Sequence, residues 1–394
     1  MKLYNVKCES GARAVVLDDM ILTKDMPTTA GSKMLSGYMS LFDAEVVTRL
    51  SAAGYSIAGK AAVGEFGIDL LGESSFEGAL VRDGKIVNAA AEIVLSGEAM
   101  AAITLDVNGS TRRAAAQAGL VSVKPTYGTV SRFGTVPAAC SGECVSVTAK
   151  SAVECLEVLC AISGHDDKDG TSLSSAECKS ALDFGEIKKV AIVKELYELA
   201  DGDVKARLDL AKAKLCAAGV EVSEISVPVL TSARAAWNIL MTAELCNNVS
   251  RYDGVKYGYR AENFVGLDEL YTKSRTEAFG KLLKTAIIYG SETLSTENYM
   301  KVYDKALRTR RVIVDELNSV FVEYGAILIP ATSKAAYAAD GALDSCFDEN
   351  IFTAPASISG MPSVVSGGAS LVGAAFTEGK LLSLAKIFEK EGAL

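Results

Sequence analysis

The stretch Asp106-Val107-Asn108-Gly109-Ser110-Thr111-Arg112-Arg113 is where this chain has the means to do chemistry. It reads as a strand end, a glycine-containing turn and a serine at the entry of an alanine-rich helix. A serine placed there can serve as a nucleophile, because backbone N–H groups at a helix entry can stabilise an oxyanion. The same pattern also describes a serine that only caps a helix. A serine hydroxyl needs a nearby base to take its proton. The single histidine, His165, is the one base available to a Ser-His-Asp triad. It falls in the polar run Gly164-His165-Asp166-Asp167-Lys168-Asp169-Gly170, which reads as a solvated loop.

The nine cysteines form no CxxC pair, and their number is odd. Free thiols are therefore expected, with no metal centre and no cofactor. A net charge of −9 without a basic cluster argues against direct binding of nucleic-acid phosphates. No apolar run reaches the ~18 to 20 residues of a membrane span, and the first nine residues lack the apolar core of a signal peptide. A cytoplasmic protein is the expectation.

Several elements must hold the serine in place. Residues 43–53 read as a helix capped by Asp43, with Val46, Val47 and Leu50 on one face. Residues 110–119 read as a short helix, followed by a strand at 120–123. A buried strand at 190–193 leads to an amphipathic helix at 203–218, with Val204, Leu208, Ala211 and Leu215 inward, and to a strand at 220–222. Residues 229–324 are mostly helical, ending in a long segment from Thr296; 327–330 is a strand, and 379–391 a last helix. Strands alternating with helices predict an α/β fold, a mixed or parallel sheet covered by helices on both faces. No linker composition interrupts the chain, so one domain over 1–394 is expected.

Longer motifs surround the serine. Val123-Lys124-Pro125-Thr126-Tyr127-Gly128-Thr129-Val130-Ser131-Arg132-Phe133-Gly134 follows it. Phe42 to Leu50, Gly59-Lys60 and Glu65-Phe66 precede it, and Tyr252-Asp253-Gly254-Val255-Lys256-Tyr257-Gly258 lies downstream. With Leu328-Ile329-Pro330-Ala331-Thr332 and residues 355–362, these resemble the amidase-signature family, and within it the A subunits of tRNA-dependent amidotransferases. The likeness runs nearly the length of the chain, with the family's N-terminal region represented only in part.

The resemblance implies an amidase-signature fold and a lysine, relay serine and nucleophilic serine acting in series. Ser110 matches the nucleophile, and Val107, Asn108 and Gly109 match the oxyanion turn. The base position, which ends a glycine-to-Lys-Asp-Asn pattern, matches Leu17, and leucine accepts no proton. The serine-rich relay loop is replaced by Arg82-Asp83-Gly84-Lys85-Ile86-Val87-Asn88-Ala89-Ala90-Ala91, which is shorter and has no serine. The substrate-carboxylate arginine matches Arg310. The aspartate that should hold the substrate ammonium matches Asn350, which removes a charge from that contact. Ser96, Lys60 and Lys85 are the side chains from which a relay and base could be rebuilt. Loss of base and relay together removes on the order of 10⁴ to 10⁶ in rate from comparable serine triads.

The expectation is a catalytically impaired scaffold or ligand-binding protein; a non-catalytic partner for an active homologous amidase is a variant of it. The alternative is an active amidase or glutaminase subunit that hydrolyses glutamine through Ser110. The resemblance also implies B- and C-type amidotransferase subunits as partners, with tRNA met through the B-type one, and a small amide or amino acid as ligand.

Overall fold

The computed structural model describes residues 2–9, 11–339 and 347–389. A mixed eleven-stranded sheet forms its centre. The strands are β1 (Tyr4–Lys7), β2 (Ala14–Asp18), β3 (Ser56–Ala61), β6 (Ala101–Asp106), β7 (Val121–Lys124), β8 (Cys144–Ala149), β9 (Lys189–Val193), β10 (Glu221–Ile225), β11 (Ala326–Pro330), β12 (Ser363–Ser366) and β13 (Ala369–Val372). They lie in the order β1-β3-β2-β6-β8-β7-β12-β13-β11-β9-β10, while β4 (Val81–Arg82) and β5 (Lys85–Ile86) make a separate hairpin. β2 runs parallel to β3 and β6, and β9 parallel to β10 and β11; the remaining neighbours are antiparallel. Every residue of β2, β6, β7, β8 and β11 is buried, as a sheet covered on both faces requires.

The helical periodicity is realised with shifted ends. The helix Gly202–Ala217 buries Val204, Leu208, Ala211 and Leu215, and Asp201 caps it. The helix Glu45–Ala52 buries Val46, Val47 and Leu50. Asp43, expected as its cap, instead accepts the backbone N–H of Lys24, and Ala44 stands at the cap without a side-chain bond. Residues 229–324 form the helices Ala233–Val249, Gly266–Ala278, Lys281–Thr293 and Asp304–Glu323, the last entered through a π-helical turn at Tyr299–Tyr303. The last helix is shorter than expected: Glu378–Ala385 passes into a 3-10 turn, and residues 390–391 lie outside the described region.

His165 sits in a loop, its ring between the Leu173 carbonyl and the Asp167 carboxylate. Eight cysteines are free thiols, and Cys346 lies outside the described residues. Among the described residues, no helix is long and apolar enough to cross a membrane, and no three metal-ligating side chains gather.

Because β2 and β6 are parallel neighbours, their C-terminal ends open on the same edge of the sheet. Leu17 and Asp18 end one strand, Asp106 ends the other, and the helix Ser110–Ala118 begins just beyond.

Candidate active site

The turn after β6 is built around Asp106. Its carboxylate accepts the Gly109 N–H at 2.9 Å, the Thr111 hydroxyl at 2.8 Å, and Nε and Nη2 of Arg112 at 2.7 and 3.1 Å. Burial by itself would raise this carboxyl, but the Arg112 guanidinium and the hydrogen bonds outweigh it and hold Asp106 below the usual carboxylate range. Gly109 turns the chain into the helix at φ +83°. A Cβ there would lie 2.3 Å from Cβ of Thr353, so the position needs glycine twice over. Gly109 alone in this turn has positive φ, so Asn108 is not asked to adopt a left-handed backbone. The Gly109 N–H is taken by Asp106, which leaves the N–H groups of Val107, Asn108 and Ser110 without a partner among the described residues.

Ser110 is the first residue of the helix and only 5% exposed. Its hydroxyl has no hydrogen-bond partner among the described residues. Leu17, which only the resemblance matches to the base position, is fully buried, registered between Lys60 of β3 and Ile103 of β6. Lys60 shares Leu17's register, yet its ammonium donates to the Thr28 hydroxyl and lies 4.0 Å from Asp19 Oδ1. Burial pulls its pKa down to about 8. Lys85 projects from the exposed β4–β5 hairpin, and Ser96 donates to its own helix at Ile93 O. None of the three rebuilding candidates bonds Ser110.

Asn108 is held by side chains that no local pattern announces. Its Nδ2 donates to Ile68 O at 3.0 Å, and its Oδ1 accepts both the Trp237 indole N–H at 3.2 Å and Asn350 Nδ2 at 2.8 Å. Its carbonyl accepts Arg113 Nη1 and the Thr353 hydroxyl. Asn350 also donates to Asn238 Oδ1 at 2.6 Å, and its own Oδ1 is buried without a partner. An indole N–H only donates, so Trp237 decides which face of the Asn108 amide is the acceptor, and that in turn sets the Asn350 amide.

Trp237 also fills space. It is fully buried, and a Cβ on Gly142 would lie 2.2 Å from its six-membered ring. Arg310 reaches the same region from the helix Asp304–Glu323, donating to Ser141 O at 3.4 Å, while the Ser141 N–H donates to Glu244 Oε2. The indole thus extends from the Asn108 turn to the Ser141-Gly142 backbone that Arg310 contacts. The structure brings Val107, Asn108, Gly109, Ser110 and Asn350 together, with Arg310 beyond Trp237. Trp237, Asn238 and Thr353 were missed from sequence. The single tryptophan, on a helix with Asn238 beside it, was the available signal.

The amidase family model matches residues 14–82 and 89–378, leaving out 83–88, where the β4–β5 hairpin closes. The A subunit of the glutamyl-tRNA(Gln) amidotransferase from Symbiobacterium thermophilum is 35% identical over 401 residues, covering 95% of this chain and 82% of that protein. Its counterpart from Pseudothermotoga lettingae is 34% identical, covering 95% and 85%. The crystal structure of the A subunit from Thermotoga maritima superposes with a TM-score of 0.80 at 28% identity, over 98% of this chain and 87% of that one. The Kluyveromyces lactis urea amidolyase, at 22% identity and TM-score 0.79, shares the fold over 95% of this chain. With an asparagine-glycine turn delivering a serine to a helix entry inside a mixed sheet of this order, and with this extent of match, the chain belongs to the amidase family.

Proposed function

We propose that this chain is a catalytically impaired amidase-family protein, folded as one amidase-signature unit, that acts in the cytoplasm as a scaffold or ligand-binding protein. One observation carries the reading. Among the described residues the Ser110 hydroxyl has no partner that could take its proton, and a fully buried leucine occupies the position that the resemblance matches to the family's lysine. Two others support it: the 82–91 segment forms an exposed hairpin and a helix start without a serine, and Trp237 fills the space between the Asn108 turn and the backbone held by Arg310. The similarity to amidotransferase A subunits makes B- and C-type subunits, or an active homologous amidase, the partners of this reading.

The test is ammonia release from glutamine, asparagine and small aliphatic amides, by the chain alone and mixed with B- and C-type subunits. No turnover above a Ser110→Ala control is expected. Turnover that Ser110→Ala abolishes would overturn the reading in favour of a working glutaminase. Labelling by a sulfonyl fluoride probe gives an independent readout: slow or absent modification of Ser110 is expected.

A further inference from the structure

A chamber of about 320 Å³ lies against the outer side of the helix Ala233–Val249, on the side of Asn238 rather than of the Ser110 turn. Ile239, Tyr289 and Phe347 give it apolar walls, and Ala235 lies at its exposed side. Its charged lining residues, Arg234 and Asp348, are 2.9 Å apart and neutralise each other. Among the described residues, the Asn238 amide that lines it is only half used: Nδ2 donates once, to Phe347 O at 2.8 Å, and Oδ1 accepts once, from Asn350. An asparagine side chain has two N–H donors and two acceptor lone pairs, so one of each remains for a ligand. A donor and an acceptor on adjacent atoms match the edge of a carboxamide or lactam, and the volume, near the lower bound for ligand pockets, suits a small molecule.

We propose that this chamber is a second, non-catalytic ligand site for a small, uncharged aromatic molecule with a carboxamide or lactam edge, held between Asn238 and the Ile239, Tyr289 and Phe347 walls. It deepens the ligand-binding reading above by giving the ligand a place and a chemistry separate from Ser110. Absence of net charge follows from the Arg234–Asp348 pair and from Asn350, whose neutral amide contacts Asn238 from behind. Aromatic character follows from the Tyr289 and Phe347 rings set beside Ile239; the other polar groups of the lining, the hydroxyls of Thr242 and Thr293 and the Tyr289 phenol, are neutral, and that of Thr242 donates to Asn238 O.

Calorimetric titration of the full chain with benzamide, benzoate and benzylammonium tests the site. Benzamide is expected to bind saturably, and the two charged analogues at least about tenfold more weakly. Ala235→Trp, on the exposed side of the chamber, is expected to weaken benzamide at least about tenfold by occupying the space, and Tyr289→Ala about threefold. Tyr289 is 63% exposed, so its truncation leaves the fold intact and keeps the test valid should Ala235→Trp lower the melting temperature. Benzamide binding unchanged by both variants, no saturable benzamide binding, or equal binding of the charged analogues would overturn the site. Ammonia is assayed in the same samples. Its release from benzamide would overturn the loss of catalysis and leave the site standing, whereas loss of binding without ammonia overturns the site alone.

Discussion

The indole N–H of Trp237 donates to Oδ1 of Asn108 across 129 positions of sequence, at 3.2 Å. That bond joins the helix Ala233–Val249 to the turn that delivers Ser110, and it orients the amides of both Asn108 and Asn350. The ring packs between that turn and the Ser141-Gly142 backbone, which Arg310 contacts.

Trp237→Phe keeps most of the volume and removes the donor. It is expected to cost about 1–2 kcal/mol, the price of a buried acceptor left with one partner fewer. Trp237→Ala adds a cavity and is expected to cost about 3–5 kcal/mol. Urea denaturation measures both. Neither variant is expected to release ammonia from glutamine, since opening the space supplies no base.

Placing at 350 the acid that the family resemblance implies is expected to fail. In Asn350→Asp the carboxylate faces Asn108 Oδ1 and Asn238 Oδ1, both acceptors, and Trp237 prevents the Asn108 amide from turning over. A loss of about 2–4 kcal/mol is expected, with no gain in glutamine binding by calorimetry. A variant as stable as the parent would show that the amide network can rearrange.

Ser110→Ala, by contrast, is expected to change stability by less than about 0.5 kcal/mol, because among the described residues the hydroxyl has no partner to lose. A larger loss in denaturant would reveal a hydrogen bond to that oxygen and reopen the question of a base.

Asp106→Asn breaks a fully buried pair and leaves Arg112, only 1% exposed, without its counter-charge. About 3–5 kcal/mol of destabilisation is expected. Near-parent stability would show that Arg112 is satisfied by Thr353 O and the Ser357 hydroxyl alone.

Glu65 supplies a pH test. Burial raises its pKa to about 7, against the hydrogen bonds it accepts from the Ser32 hydroxyl and the Gly280 N–H. A raised carboxyl favours the folded state while protonated. Its contribution is therefore full below the unfolded value near 4.5 and is lost as pH rises through about 7. Relative to the parent, Glu65→Gln is expected to become more stable between pH 5 and pH 8, by up to about 3 kcal/mol. Parallel stability curves across that range would show that the carboxyl is not shifted.

The local architecture was readable from residue order. The four inward positions of the helix Gly202–Ala217 follow from spacing, and the strand-turn-helix shape around Ser110 follows from its glycine and the alanines after it. Leucine at 17, the 82–91 segment without a serine and asparagine at 350 are visible in the sequence as residue types. Helix ends were less legible: Asp43 looks like a cap until Lys24, 19 positions away, takes its carboxylate.

What residue order alone determined was thus the elements around Ser110, the strand at 190–193 with the helix after it, and the identity of the side chains offered at their ends, because periodicity and turn chemistry act over a few residues. Which of those side chains meet was decided by the tertiary structure. Asn350 reaches Asn108 across 242 positions, Trp237 arrives from another helix, and Lys60 turns to Thr28 instead of Ser110. Contacts of that separation depend on how the sheet orders its strands and how helices pack over its edge, and no local pattern carries that information.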